Sequence, residues 1–152
     1  MRLDDRDRAI LRLLQTEGRL TNAELADRVS LSASACLRRV RTLEQAGLID
    51  RYVALVNARA VGLGGVAFVL VTLDQQGRSA LDRFEEAVGR YREILECYLL
   101  AGSADYLVRV AYADAENFEH IHTEILTQLP GVVRLQSTLA LRTVKKTTAL
   151  PV

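Results

Sequence analysis

Two helix-start signals lie close together near the front of this chain, and their spacing restricts its fold more than any other feature. Thr21-Asn22-Ala23-Glu24 has the form of a capping box, in which the threonine hydroxyl accepts from the backbone of Glu24 while the glutamate reaches back. Ser32 starts another helix almost at once, so the helix between them, with Leu25 and Val29 as its apolar face, must be short and the turn after it tight. That is a helix-turn-helix pattern. Upstream, Asp4 caps a first helix with Asp5 and Asp7 in its opening turn, Ile10, Leu13 and Leu14 on one face and Gly18 as a stop. Downstream, the helix begun at Ser32 runs to Ala46, and Gly47 takes the position where a left-handed residue closes a helix at little cost. A three-helix unit thus occupies residues 1–50.

On the third helix Cys36, Val40 and Leu43 recur at helical spacing and form a core stripe, with Leu37 beside it. Ser34, Arg38, Arg41 and Gln45 fall on another face, flanked by Arg39 and Thr42. Ala33 and Ala35 keep the leading end slim. The major groove of duplex DNA is about 12 Å wide and admits one such helix, leading end toward the base edges. Net charge argues little: 20 basic residues face 19 acidic ones, although residues 1–60 hold 11 arginines against 8 acids. An arginine-rich helical face is by itself usually just solvated. Its place in a helix-turn-helix makes double-stranded DNA the expected partner, with Ser32, Ser34, Ala35, Arg38, Arg39, Arg41 and Thr42 as the contact residues and the arginines on phosphates and base edges.

The rhythm then changes. LIDRYVALVN (48–57) reads as a strand, and the glycine-bearing ARAVGLGG after it completes a strand-and-linker segment over 51–65. Beyond it the spacing predicts a buried strand VAFVLVTLD, a helix capped by Ser79 with Leu81, Phe84 and Val88 inward, and a strand EILECYLLAG. A turn at Gly102-Ser103-Ala104 leads into a strand DYLVRVAYAD. Asp114 caps a helix with Phe118, Ile121, Ile125 and Leu129 inward, Pro130-Gly131 ends it, and VVRLQSTLALRTV is a long last strand. The order β-α-β-β-α-β is the ferredoxin-like signature, so the fold class is α+β, with the second domain over 66–152. The apolar strands of so small a domain leave a sheet face to be covered, and two-fold pairing of copies would cover it.

Other chemistry finds little support. A chain of 152 residues, 49% hydrophobic and 26% charged, describes a soluble globular protein. No stretch approaches the roughly 20 apolar residues of a membrane span, and MRLDDRDRAIL lacks the apolar run of a signal peptide, so the cytoplasm is expected. Cys36 and Cys97 lack CxxC spacing and are read as core residues. Glu116, His120 and Glu124 share a helix face, but without a fourth ligand they read as solvated. With no nucleophile-and-base pair and no phosphate loop, the reading is of a non-enzyme without cofactor or metal. The fold alone does not decide this: the alternative is an amino-acid-binding protein or enzyme on a ferredoxin-like fold without direct DNA function.

Taken in order, LDDRDRAILRLLQTEGRLTNAELADRVSLSASACLRRVRTLEQAGLI, the YVALVN segment, AGSADYLVRV, the LPGV turn and the VKKTTALP tail resemble the Lrp/AsnC family of leucine-responsive, feast/famine transcription regulators. The resemblance implies a DNA-binding domain joined to an αβ-sandwich domain that senses amino acids and assembles dimers, often into octamers. Gly102-Ser103-Ala104-Asp105 would be an ordinary hairpin turn on composition. The resemblance makes it an effector-binding loop, with Leu100, Ala101 and Tyr106 around it and Gln136, Ser137 and Thr138 on a strand bordering the pocket. There Gly102 would let backbone N–H groups face a carboxylate and Asp105 would attract an ammonium group. Three residues depart from the family's usual pattern: Ser30 for a turn glycine, Ala33 for a proline, and Ser103 for the first acid of the loop.

Overall fold

The computed structural model describes residues 2–152. They form two compact units, one of residues 2–55 with 145–152 and one of residues 56–144.

The first unit is built from α1 (Asp5–Thr16), α2 (Asn22–Arg28) and α3 (Ala33–Gln45). Each starts where a short polar side chain can take up a free helix N–H. Asp4 accepts from Asp7 N at 2.8 Å and Asp7 returns a bond to Asp4 N, a reciprocal box. Thr21 and Glu24 form the second box, and Ser32 accepts from Ala35 N. The ends are equally specific. After α3, Leu48 N donates to Leu43 O and Gly47 N to Glu44 O, with Gly47 at φ 68°, which is the Schellman closure. After α2 the same pair of bonds runs from Leu31 N to Ala26 O and from Ser30 N to Asp27 O. Here the left-handed slot holds Ser30, at φ 52°. The tight turn is thus a helix closure with serine where glycine is easier. Ile10, Leu11, Leu25, Ala26, Val29, Cys36 and Leu43 form the core between the helices.

The second unit holds β1 (Gly65–Leu73), α4 (Arg78–Val88), β2 (Ile94–Leu99), β3 (Tyr106–Tyr112), α5 (Ala115–His120) and β4 (Val132–Leu139). The strands pair antiparallel in the order β2-β3-β1-β4, the ferredoxin-like arrangement. Ala67, Val69, Val71 and Leu73 alternate with exposed or half-buried neighbours and meet Val108 and Val110 of β3, Phe84 and Val88 of α4, and Ile121, Ile125, Leu126 and Leu129. Phe84 and Tyr106 stack with centroids 4.4 Å apart, and the Tyr106 hydroxyl donates to Glu85 at 2.7 Å, so the one polar end of this buried ring is satisfied.

Several elements differ from the sequence reading. Residues 51–57 form no strand: among the described residues nothing pairs with them, and a strand needs a neighbour that this chain alone does not bring to it. Gly77, not Ser79, stands at the N-cap of α4, so Ser79 lies inside the helix. After α5 the backbone widens into a π-turn over Ile121–Ile125 and tightens through Leu126–Gln128, which buries Leu126 together with Ile121 and Ile125. β4 stops at Leu139, short of the expected Val144. The tail 145–152 belongs with the helices rather than with the sheet: Arg12 Nε donates to Val152 O at 2.6 Å, and Gln15 exchanges bonds with both backbone groups of Leu150.

Relief of the left-handed strain is measurable. Ser30→Gly should raise stability by about 0.5–1 kcal/mol, less whatever the freer unfolded chain takes back, with unchanged helix content. Urea unfolding followed by circular dichroism reads it, and a lower midpoint would show that Ser30 carries an interaction beyond its backbone angle.

Candidate DNA-binding face and effector loop

One outer face of α3 carries Ser34, Leu37, Arg38, Arg41, Thr42 and Gln45, which line a shallow hollow of about 320 Å³. The α-helical repeat puts these positions in one stripe, and the Cys36 and Leu43 stripe on the other side fixes which way it faces. Among the described residues neither Arg38 nor Arg41 has an ion-pair partner, so both guanidinium groups are available to an anion. Ser32 and Ser34 lie with hydroxyls 3.3 Å apart at the leading end. Thr42 donates to Arg38 O at 2.9 Å, which commits its proton inside the helix. Ala35 is half-buried.

Arg39 does not belong to that face. Its Nη1 donates to Asp4 Oδ2 and to Asp7 Oδ1, each at 2.7 Å. The chain's leading capping box is therefore also the anchor of α3. Asp7 is 4% exposed and is the one buried charged residue among those described. Arg39 lies three residues from Cys36 and four from Leu43, close enough to the inward stripe to turn toward α1 rather than toward solvent. The Asp7 backbone bond first, and then Arg39, hold the Asp4 carboxyl below its ordinary value of 3.8. The same two carboxylates, Asp7 first, raise the Arg39 guanidinium further above its already high value. Leu37, expected beside the core stripe, is instead 39% exposed within the outer hollow. Asn22 clamps the two helices of the turn: its Nδ2 donates to Ala33 O at 2.8 Å. Neither Leu37 nor Asn22 was marked by the sequence pattern, Leu37 because hydropathy alone assigns a leucine to the core.

In the second unit, Ala101, Gly102 and Ser103 are exposed, with Leu100, Ala104 and Asp105 half-buried. Asp105 is bound on three sides. Its N–H donates to Val71 O, its carbonyl accepts from Leu100 N, and its carboxylate Oδ2 accepts from Leu73 N at 2.7 Å. The side chain thus extends the β1–β3 pairing, and Oδ1 is left outside those bonds. Tyr106, expected in the pocket, is 2% exposed and supports the loop from beneath. Gln136 and Thr138 pair with Leu70 and Phe68 on the sheet face away from the helices, while Ser137 pairs with Val69 on the other. The loop and this strand are not brought together within one chain, because β3 and β1 lie between β2 and β4. Among the described residues no three His, Cys, Asp or Glu side chains are grouped as a metal requires. Burial raises the Cys97 thiol to about 11, so it stays protonated at neutral pH.

A family profile described as the Lrp/AsnC ligand binding domain matches residues 66–150, and one described as a winged helix-turn-helix DNA-binding domain matches residues 3–50. This chain belongs to the Lrp/AsnC family. The leucine-responsive regulatory protein of Escherichia coli K12 is 38% identical over 148 residues, which is 97% of this chain and 90% of that one. The HTH-type transcriptional regulator y4sM of Sinorhizobium fredii is 46% identical over 116 residues, 76% of this chain and 91% of that one. Among solved structures, a transcriptional regulator of Neisseria meningitidis in complex with L-Met superposes with a TM-score of 0.94 at 41% identity, covering 99% and 97% of the two chains. Like its relatives, this Lrp/AsnC protein is a DNA-binding transcription regulator with a ligand-binding domain.

The Arg39 anchor makes a signed prediction. Asp4's folded value is lowered, so its contribution is present above about pH 3.8 and is lost as pH falls through the lower folded value. Arg39→Ala should cost about 1–3 kcal/mol at pH 7, the cost of leaving a buried carboxylate without its charged partner. The gap from wild type should narrow as the pH drops below 3.8. Thermal melts from pH 7 to pH 2.5 measure it, and a gap independent of pH would remove Asp4 from the explanation.

Proposed function

We propose that this regulator works in the cytoplasm, holds double-stranded DNA with the outer face of α3, and takes a free amino acid at the loop of residues 100–106. The observation that carries the DNA assignment is the pair of unpartnered guanidinium groups, Arg38 and Arg41, on one outer helical stripe behind a serine-bearing N-terminus. Ser32, Ser34 and Ala35 would approach the DNA at the leading end and Thr42 one turn further along. Arg39 acts at one remove, by holding the helix. No catalytic pair accompanies the face or the loop, and the protein acts by binding rather than by turnover.

The effector reading rests on the exposed backbone at Gly102 and Ser103 and on the Neisseria meningitidis relative solved with L-Met. Asp105 keeps one carboxylate oxygen for an ammonium group while the other braces the sheet. One intervening strand, β1, sets Thr138 and Gln136 roughly 10 Å across the sheet from β3, and a pocket that uses both would take strand 136–138 from a second copy. Assembly supplies one. The helix-free sheet face carries Phe68, Leu70 and Leu107, and Val53, Leu55 and Val56 of segment 51–57 are exposed. A homodimer buries such surfaces, and four dimers in an octamer would bring loops and strands of different dimers together.

Fluorescence anisotropy on duplexes selected from a random pool tests the first part. Arg38→Ala and Arg41→Ala should each weaken specific binding by about 1–3 kcal/mol if the side chain meets a base, or lower the log–log salt slope by about 0.9 if it meets a phosphate. Unchanged affinity in both at every salt concentration would exclude this face.

Thermal shift with the common amino acids, L-methionine included, tests the second. An effector at 100 times its dissociation constant should add about 2.7 kcal/mol. Asp105→Asn, which keeps an acceptor for Leu73 N–H but removes the charge, should lose that gain while binding DNA as before. A panel that shifts nothing, or shifts the variant equally, would place the ligand elsewhere.

A further inference from the structure

We propose that Leu37 reads the 5-methyl group of a thymine in the major groove and so sets part of this regulator's sequence preference. The inference rests on the assignment of α3 as the DNA-facing helix and specifies what one of its side chains recognises.

Leu37 is 39% exposed and is not among the residues packed against the helix core. It lies in the outer hollow with Ser34, Arg38, Arg41, Thr42 and Gln45, the one hydrocarbon side chain among them. A single exposed leucine is ordinary on a protein surface. This one shares its hollow with two unpaired arginines, on the stripe that enters the groove, and docking strips its water whether or not it finds a match. Phosphates and polar base edges give it none. The major-groove edges of the four base pairs offer one apolar group, the thymine methyl. Leu37 sits one helical turn after Ser34, in the leading half of α3, which is the part of a recognition helix that meets base edges. Arg38 and Arg41 attach the helix and select guanine or phosphate, and the apolar spot beside them selects thymine.

Replacing thymidine by deoxyuridine in a duplex removes the methyl and nothing else. Duplexes are first selected with the wild-type full-length protein, and each thymidine is then replaced in turn. At one or more positions deoxyuridine should weaken wild-type binding by about fourfold, the effect of one buried methyl-sized group. Leu37→Ala should bind the two duplexes equally at those positions, while Leu37→Met, still apolar, keeps the discrimination. The melting temperature and salt slope of Leu37→Ala should match wild type, because no core contact and no phosphate contact is lost. Equal discrimination by wild type and Leu37→Ala at every position overturns the assignment. So does a Leu37→Ala protein whose oligomeric state changes while its base preference stays. If the wild type selects no duplex at all, the DNA-facing assignment itself falls and this one falls with it.

Discussion

The geometry of the DNA-binding unit depends on a small electrostatic knot. Asp4 and Asp7 cap the first helix reciprocally, and Arg39 of the third helix closes on both carboxylates. A buried carboxylate such as Asp7 is tolerated only with strong hydrogen-bond partners, and here they come from one backbone N–H and one guanidinium. The two helices therefore lock at a single rotational setting. A purely apolar contact between α1 and α3 would leave the recognition helix free to roll, because hydrophobic burial has no direction. Arg6, which donates to the carbonyl of Val29, ties the same first helix to the end of the second. The side of α3 that faces outward is thus set from within the unit before any DNA arrives.

The sheet unit follows a different logic. Its helix-covered face is closed by branched aliphatics and one aromatic pair, while its other face mixes Phe68 and Leu70 with the Arg109–Glu96 ion pair. Glu96 chiefly raises the Arg109 guanidinium, and Arg109 is only 20% exposed in its side chain. A face that is apolar yet carries an internally neutralised pair suits a surface that a second copy covers, since the charges are matched before they lose water. The loop at Gly102 stands at the rim of this sheet, held by Asp105 through backbone groups of β1. The loop is thereby tied to β1, one of the sheet's two inner strands.

Local chemistry was legible in the sequence and long-range pairing was not. The caps at Asp4, Thr21, Ser32 and Asp114 and the closure at Gly47 depend on residues within one turn, and each appears where the pattern predicts it. The ferredoxin-like strand order follows from the alternation of rhythms. The pairing of Arg39 was not legible, because its partners lie 35 and 32 residues away, beyond any helical spacing. Tyr106 was placed in the pocket by resemblance, whereas its alternation with Val108 and Val110 turns it into the core. Ser79 looked like a cap because serine usually is one, but Gly77 is the residue whose extended backbone starts the helix. Residues 51–57 have strand composition and no neighbour in the chain, and composition cannot supply a neighbour.

The return of residues 145–152 to the first helix changes the order in which the molecule can be completed. Arg12 meets Val152 across 140 residues of sequence, so the helical unit is interrupted in the chain by the whole sheet unit. During synthesis the three helices emerge first and can bury their core at once, since their contacts are local. The strap on α1 joins them only after the sheet unit has been made. Between those moments the helical unit exists in an unstrapped form, with the side of α1 near Arg12 and Gln15 uncovered. Early folding and final assembly are therefore separate events for the same small body of helices, and the second waits on the part of the chain that senses rather than the part that binds DNA.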